Sequence, residues 1–195
     1  MTAPQQQWNR PRWSRAARRL ACVAAVLLLT GCAAPADVAR MTAPAHDGSA
    51  PPQDPALSQA VCVELVEGGK KTNPLWAPEV DNRSFLKALE GSLGNAGLLA
   101  TQPTPCRFGV EAHLLGLSQP FVGLDVEVTA NVNYRVRRAG DAEPYLLRTL
   151  ASAYTARFTP DRFLWAGRLK LANEGAVRKN IGDFIDALKQ RQPSG

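Results

Sequence analysis

Apolar and polar residues alternate strictly over one segment in the second half of the chain. Every even position from Leu124 to Val136 carries an apolar or aromatic side chain, and every odd position from Asp125 to Arg137 carries a polar or charged one. This period of two predicts a long β-strand with one buried face and one solvated face. Because parallel sheets are usually covered on both faces, the solvated face indicates a mainly antiparallel sheet.

Three other segments have weaker strand character. Residues 61–65 and 108–114 alternate over shorter lengths, and residues 145–158 are rich in leucine, threonine and tyrosine. Gly68 follows the first of these strands and Gly140 follows the strictly alternating one. Glycine at these positions favours turns, so the chain is expected to contain four strands.

Two segments repeat apolar residues at steps of three and four, which is the spacing of amphipathic helices. The first helix follows a capping residue at Asp81 or Asn82. The second spans about residues 167–189 and contains Gly175 and Gly182. Glycine inside a helix costs about 1 kcal/mol, so we expect close approach of a neighbouring backbone as the compensation.

The predicted order of elements is β-α-β-β-β-α. Each helix has one apolar stripe and the sheet has one apolar face, so packing both helices on that face buries all the apolar surface. The sequence therefore predicts an α+β fold, a two-layer sandwich with a mostly antiparallel four-stranded sheet and two helices on one face. A single domain is expected over residues 57–191, followed by a tail at residues 192–195.

The positive charge of the chain is concentrated at its N-terminus. The 195 residues include 23 basic and 17 acidic side chains, for a formal net charge of +6. Residues 1–31 contain five arginines and no acidic residue, so the remaining chain is nearly balanced. The charge is therefore no reason to expect nucleic-acid binding.

A short apolar run follows this basic start. Residues 20–30 carry no charge, and a helix of that length is far shorter than the ~30 Å hydrocarbon core of a bilayer. A basic start, a short apolar run and small residues after it are the features of a secretory signal peptide. We expect residues 1–31 to be this signal.

The apolar run ends in Leu29-Thr30-Gly31-Cys32, which resembles the lipobox of bacterial lipoproteins. The resemblance implies cleavage between Gly31 and Cys32, a thioether-linked diacylglycerol on Cys32, and a fatty acid such as palmitate on its amino group. Several acyl chains on one residue anchor a protein stably, whereas one chain alone does not. Ala33 occupies the position where an aspartate favours inner-membrane retention in enterobacteria, so the resemblance implies the outer membrane.

The stretch after the lipidated cysteine is rich in proline and alanine. Residues 32–56 show no apolar period, which predicts an extended tether between the membrane and the domain. The tether would hold the domain on the periplasmic face without requiring it to touch the membrane.

Cys62 and Cys106 are the cysteines of the predicted domain. An even pair in an oxidising compartment favours a disulfide, and a β-α-β crossover brings the starts of the first two strands to the same edge. Against this, Cys62 does not lie on the apolar face of the first strand. Cys106 is two residues before Phe108 and, in a regular strand, would point to the same apolar face as Phe108. A disulfide therefore requires irregular backbone at Cys106, and two buried free thiols are the alternative.

Residue types that carry catalysis are sparse in the exported part. His46 lies in the predicted tether, His113 lies on the solvated side of a strand, and Ser92 is in the middle of a helix. Zinc-binding Cys or His spacings and a glycine-rich phosphate loop are absent from the sequence. The sequence therefore predicts a protein that is not an enzyme and binds no metal or cofactor.

Two loops place large apolar residues near strand ends. Leu75 and Trp76 lie between the first strand and the first helix, and Phe121 lies in the turn between the second and third strands. If exposed, they would form a partner-binding surface. The alternative is that Trp76 and Phe121 close the open end of the core, because large aromatic side chains are usually mostly buried.

The predicted order of elements on a tethered lipoprotein resembles the small auxiliary lipoproteins of envelope lipid transport. The segments at residues 73–76, 81–85 and 171–176 are similar to those of uncharacterised proteobacterial lipoproteins. The resemblance assigns no activity or functional residue. Because the sequence has no catalytic signature, we expect a non-catalytic, periplasm-facing domain that serves an envelope assembly or transport complex through a protein partner. A tethered periplasmic hydrolase or small-ligand-binding protein is the alternative.

Overall fold

One mixed sheet organises the part of the chain that the structure describes. The structure is a computed structural model that describes residues 35–45, 51–72, 78–101, 105–119, 123–162 and 164–192. The strands are β1 (Val61–Glu67), β2 (Phe108–Ser118), β3 (Val126–Arg138) and β4 (Leu146–Ala156), and they lie side by side in that order. The β1–β2 pair is parallel and the other two pairs are antiparallel.

The helices lie on the inner face of this sheet. They are α1 (Val38–Met41), α2 (Asn82–Asn95) and α3 (Trp165–Lys189), with short 3₁₀ turns at Pro55–Leu57 and Pro160–Arg162. α2 connects the parallel strands and contacts β1, and α3 contacts β3 and β4. The predicted α+β sandwich in the order β-α-β-β-β-α is therefore confirmed, with α1 as an addition. Among the described residues, no helix is both long and apolar enough to cross a membrane.

The core follows the alternation of β3. The inward residues of this strand are fully buried: Val126, Val128, Ala130, Val132, Tyr134 and Val136. The ring of Tyr134 stacks on Phe184 of α3 with the centroids 4.1 Å apart. Leu124 continues the alternation in the sequence but is 75% exposed and precedes the strand, so β3 begins two residues later than its pattern.

Local hydrogen bonds set the ends of α2. The carboxylate of Asp81 accepts the backbone N–H of Ser84 at 3.0 Å and the hydroxyl of Ser84 at 2.7 Å. Burial raises the pKa of Asp81, but these hydrogen bonds outweigh it and the net pKa is lowered. At the other end, Gly97 adopts a φ of 71°, a left-handed conformation that terminates helices.

The two glycines of α3 have different neighbours. A Cβ built at Gly175 would lie 2.3 Å from the ring of Tyr154, whereas a Cβ at Gly182 would meet nothing within 4 Å. The expected close approach therefore exists at Gly175 only. Its partner is an aromatic side chain of β4 rather than a backbone, because α3 crosses directly over that strand.

Part of the predicted tether is folded onto the helices. α1 lies within residues 32–56, and Met41 and Ala43 are 0% and 6% exposed. The Asp37 side chain accepts the backbone N–H of Ala39 and so caps this helix. Four helical residues are too few to display an apolar period, which is why the sequence pattern does not reveal the contact. We refer to residues 35–45 as the N-terminal segment.

Candidate functional site

The residues predicted for lipidation and for partner binding lie outside the described residues. They are Gly31, Cys32, Leu75, Trp76 and Phe121. These assignments stay predictions. The structure does describe the residues that flank them in the chain, and those residues show from which part of the domain each segment departs.

A disulfide joins Cys62 and Cys106 at the starts of the two parallel strands, with the Cα atoms 5.8 Å apart. Cys106 precedes β2 by two residues, so the alternation of side chains along β2 does not determine where the Cys106 side chain points. The backbone N–H of Arg107 donates to the carbonyl of Ala60 at 2.8 Å and holds this stretch beside β1. A Glu64 carboxylate lies within 4.8 Å of both sulfurs, but sulfurs in a disulfide do not serve as thiolate ligands for a metal.

The outer sheet face, opposite the helices, carries a network of ion pairs. Arg135 Nη1 lies 3.9 Å from Glu111 Oε2, and Arg137 donates to the other oxygen of Glu111. Arg137 also lies 3.9 Å from a Glu64 oxygen. The side chains of both arginines are about half exposed, so each pair contributes at most about 1 kcal/mol. The network orders the charges on this face more than it stabilises the fold.

Exposed leucines flank these charges. Leu65 of β1 lies opposite Glu111, and Leu147 of β4 lies opposite Arg135, so the four residues form one row across the sheet. Leu65 is 46% exposed and Leu147 is 51% exposed. The outer sheet face therefore combines apolar contacts at both edges with charges at its centre.

His113 lies on the same outer sheet face. Its Nδ1 is 3.8 Å from Glu67 Oε2, and both side chains are more than half exposed. Ser92 is buried in the helical layer, where it donates to the carbonyl of Ala88 at 2.6 Å and accepts the backbone N–H of Ala43 at 2.8 Å. The sheet thus separates this histidine from that serine, and the two do not form a nucleophile–base pair.

Glu174 is a fully buried acid on α3, which the apolar stripe of that helix does not predict. Its Oε1 accepts the backbone N–H of Asp37 at 2.8 Å, and Lys170 and Arg40 lie 3.7 and 3.8 Å from its carboxylate oxygens. Burial raises the pKa of Glu174, while the hydrogen bond and the two cations act in the opposite direction. Glu174 therefore fastens the N-terminal segment to α3.

The other end of the N-terminal segment is bonded to α2. The backbone N–H of Ala43 donates to the hydroxyl of Ser92, and Asn95 Nδ2 donates to the carbonyl of Ala43 at 2.9 Å. The segment thus crosses from one helix to the other, and polar contacts hold both of its ends. In the sequence, this contact is signalled by polar residues within the otherwise apolar faces of the two helices.

Asn180 links α3 to the sheet. Its amide nitrogen donates to the carbonyls of Ala130 at 3.1 Å and Leu150 at 3.0 Å, and its oxygen accepts the hydroxyl of Tyr134 at 2.9 Å. Complete burial raises the pKa of Tyr134 well above its ordinary value, so the hydroxyl stays protonated as a donor. These satisfied buried bonds position the helix and offer no free group for chemistry.

The loop end is the end of the domain where β1 and β2 finish, β3 begins and β4 finishes. There Gln119 Nε2 donates to the carbonyl of Pro78 at 3.2 Å and to Asn173 Oδ1 at 3.1 Å. Asn173 Nδ2 donates to the same Pro78 carbonyl at 2.7 Å. Pro78 directly follows residues 73–77, and Gln119 directly precedes residues 120–122. The two segments that contain the predicted partner-binding residues are therefore joined to residues that are hydrogen-bonded to each other.

Comparisons with known proteins identify the fold. A crystal structure of a Xanthomonas campestris protein described by the family name DUF330 has a TM-score of 0.52 and 12% identity, covering 75% of this chain and 90% of that one. A hypothetical protein from Chlamydia trachomatis has a TM-score of 0.46 and 15% identity, covering 66% and 96%. A minor lipoprotein from Acinetobacter baumannii has a TM-score of 0.40 and 12% identity, covering 68% and 92%.

At these identities the similarity concerns the fold alone. No family model matches the chain, and no curated protein sequence matches it. The descriptions of the three similar structures name no activity.

Proposed function

We propose that this protein is an outer-membrane lipoprotein, attached through acyl chains on Cys32 and facing the periplasm. Its domain acts as a non-catalytic accessory component of an envelope assembly or transport complex. The observation that carries the proposal is the sequence Leu29-Thr30-Gly31-Cys32, which ends an apolar run too short to span a bilayer.

The disulfide supports export to an oxidising compartment. Structural disulfides persist in the bacterial periplasm and are rare in the cytosol. The bond between Cys62 and Cys106 has a sequence separation of 44 and cross-links the starts of β1 and β2. It therefore suits a domain that folds after secretion.

The outer sheet face supports binding to a protein. Leu65 and Leu147 offer apolar contacts at its edges, and Glu111 and Arg135 offer charges of both signs between them. A partner with complementary charges and an apolar rim fits this row. Charge pairs of this kind favour specificity and orientation more than affinity.

Metabolic labelling with a fatty acid tests the anchor. We expect Cys32→Ser to abolish label incorporation in the full-length protein, because the thioether requires the cysteine sulfur. The matched control Ala33→Ser places a hydroxyl at the next residue and is expected to keep the label. Persistent labelling of the Cys32→Ser protein would contradict acylation at this position.

Site-specific photo-crosslinking in whole cells tests the partner surface. A photoreactive amino acid at Leu147 is expected to yield one discrete adduct with an envelope protein. The same amino acid at Lys87, which is exposed on α2 in the helical layer, is expected to yield none. No adduct from Leu147, together with hydrolytic turnover by the purified protein, would replace the proposal with a tethered hydrolase.

A further inference from the structure

Three exposed apolar side chains are grouped at the loop end. Leu124, Phe158 and Leu164 are 75%, 43% and 60% exposed. The backbone N–H of Phe158 donates to the carboxylate of Asp125, next to Leu124, at 2.8 Å. The guanidinium of Arg168 lies 5.2 Å from the centre of the Phe158 ring, and the N–H of Arg168 donates to the carbonyl of Leu164. These contacts place the three residues close together at the loop end.

The described part of the N-terminal segment begins at the same end. Pro35 and Ala36 line an open cleft of about 730 Å³ together with Thr72, which follows β1, and Arg83, which lies in the first turn of α2. Pro35 is three residues after Cys32. At no more than about 3.6 Å per residue, the acylated cysteine can lie no farther than about 11 Å from Pro35.

Basic side chains lie beside this position: Lys71 and Arg83 line the same cleft, together with the acidic Asp81. Lys70, Lys71 and Arg83 are exposed on the loop end. α2 and α3 both begin at this end, and helix N-termini carry partial positive charge. The phosphate groups of lipid headgroups are complementary to these charges.

We propose that the loop end docks onto the lipid bilayer that holds the acyl chains of Cys32, with Leu124, Phe158 and Leu164 in the headgroup region. The inference rests on the proposed lipid anchor and adds an orientation to it. Because Glu174 fastens the N-terminal segment to α3 close to the anchor, the domain is held at the membrane instead of at the end of a long tether. The occupant of the apolar surface is lipid, since the proposed anchor lies within about 11 Å of Pro35, which is at the same end of the domain.

Depth-dependent fluorescence quenching tests this orientation. The mature acylated protein is placed in vesicles of phosphatidylethanolamine and phosphatidylglycerol, with an environment-sensitive label at Leu164→Cys. The control is Glu143→Cys, an exposed position in the β3–β4 turn at the opposite end of the 13-residue strand β3, about 40 Å away. Brominated lipids are expected to quench the label at residue 164 severalfold more than the label at residue 143.

The possible results separate the docking from the anchor. The mass of the N-terminal peptide, measured on the same sample, reports acylation of Cys32. An acylated protein with equal quenching at both positions overturns the docking and leaves the anchor intact, whereas an unacylated N-terminus overturns both. A label at Leu164→Cys that is shielded in native envelopes but unquenched in vesicles would assign the surface to a protein and also overturn the proposal. A second label at Leu124→Cys is expected to repeat the result at residue 164.

Discussion

At the scale of single residues, Gly175 gives a direct test of the packing between α3 and the sheet. A methyl group at this position overlaps the ring of Tyr154, so the ring or the helix must move. Overpacking of this kind costs about 1–3 kcal/mol, which exceeds the gain in helix propensity of about 1 kcal/mol. Gly175→Ala is expected to lower the free energy of unfolding, measured by urea denaturation.

Gly182→Ala is the matched control for Gly175→Ala. It makes the same change in the same helix where a Cβ meets nothing within 4 Å. The helix-propensity gain then remains, and we expect the free energy of unfolding to rise by about 0.5–1 kcal/mol. Equal effects of the two substitutions would contradict the described packing of α3 on β4.

Glu174 is predicted to produce a pH dependence of stability. Its pKa in the folded protein is raised above the ordinary value of 4.5, so the folded state binds this proton more tightly than the unfolded chain. The free energy of unfolding should therefore fall as the pH rises from 4.5 through the raised pKa. Glu174→Gln keeps an oxygen for the Asp37 N–H and is expected to remove this component from a series of urea denaturations at about pH 4 to 8.

The control for Glu174 is Glu143→Gln, which removes an acid of the same type from an exposed turn. This substitution should leave the pH dependence of the parent protein in place. If Glu174→Gln and the parent protein have the same pH profile, the buried carboxylate is not the source of the dependence. The backbone partner of Glu174 lies 137 positions away in the chain, so no local pattern predicts the pair.

At the scale of secondary-structure elements, the disulfide determines how strongly the β1–α2–β2 unit is held together. A loop with a sequence separation of 44 corresponds to a stabilisation of about 4 kcal/mol in the chain-entropy account. We expect the free energy of unfolding of the double variant, with Cys62→Ser and Cys106→Ser, to be lower than that of the parent protein by about this amount. Dithiothreitol should cause the same loss in the parent protein and none in the double variant. A parent protein insensitive to the reductant would show that the two sulfurs do not pair.

The strands and main helices follow from the sequence because their patterns are long. β3 alternates over its whole length, and α3 repeats its apolar stripe over many turns, so burial fixes both elements. The packing of the N-terminal segment cannot be predicted from the sequence pattern. Its one helical turn is too short to show a period, and the residues that it contacts are distant in the chain. The sequence leaves the pairing of Cys62 with Cys106 open for a related reason. The alternation of side chains along a strand does not extend to the irregular backbone that precedes the strand.

At the scale of the whole molecule, the two ends and the two faces have different properties. The loop end carries exposed Leu124, Phe158 and Leu164 and the start of the N-terminal segment, and the opposite end carries the disulfide. The helices cover one face of the sheet, and charged and apolar side chains cover the other. This arrangement allows a membrane at one end and a protein partner on the outer sheet face at the same time. The resemblance to a lipobox can be recognised in the sequence, whereas the proposed orientation depends on the fold.

The mass of the mature N-terminal peptide, isolated from bacterial membranes, tests the central claim most directly. The account predicts a first residue at Cys32 that carries a thioether-linked diacylglycerol and an amide-linked fatty acid. A mature chain that starts at another residue, or an unmodified Cys32, would contradict the anchor and every conclusion about the membrane that depends on it.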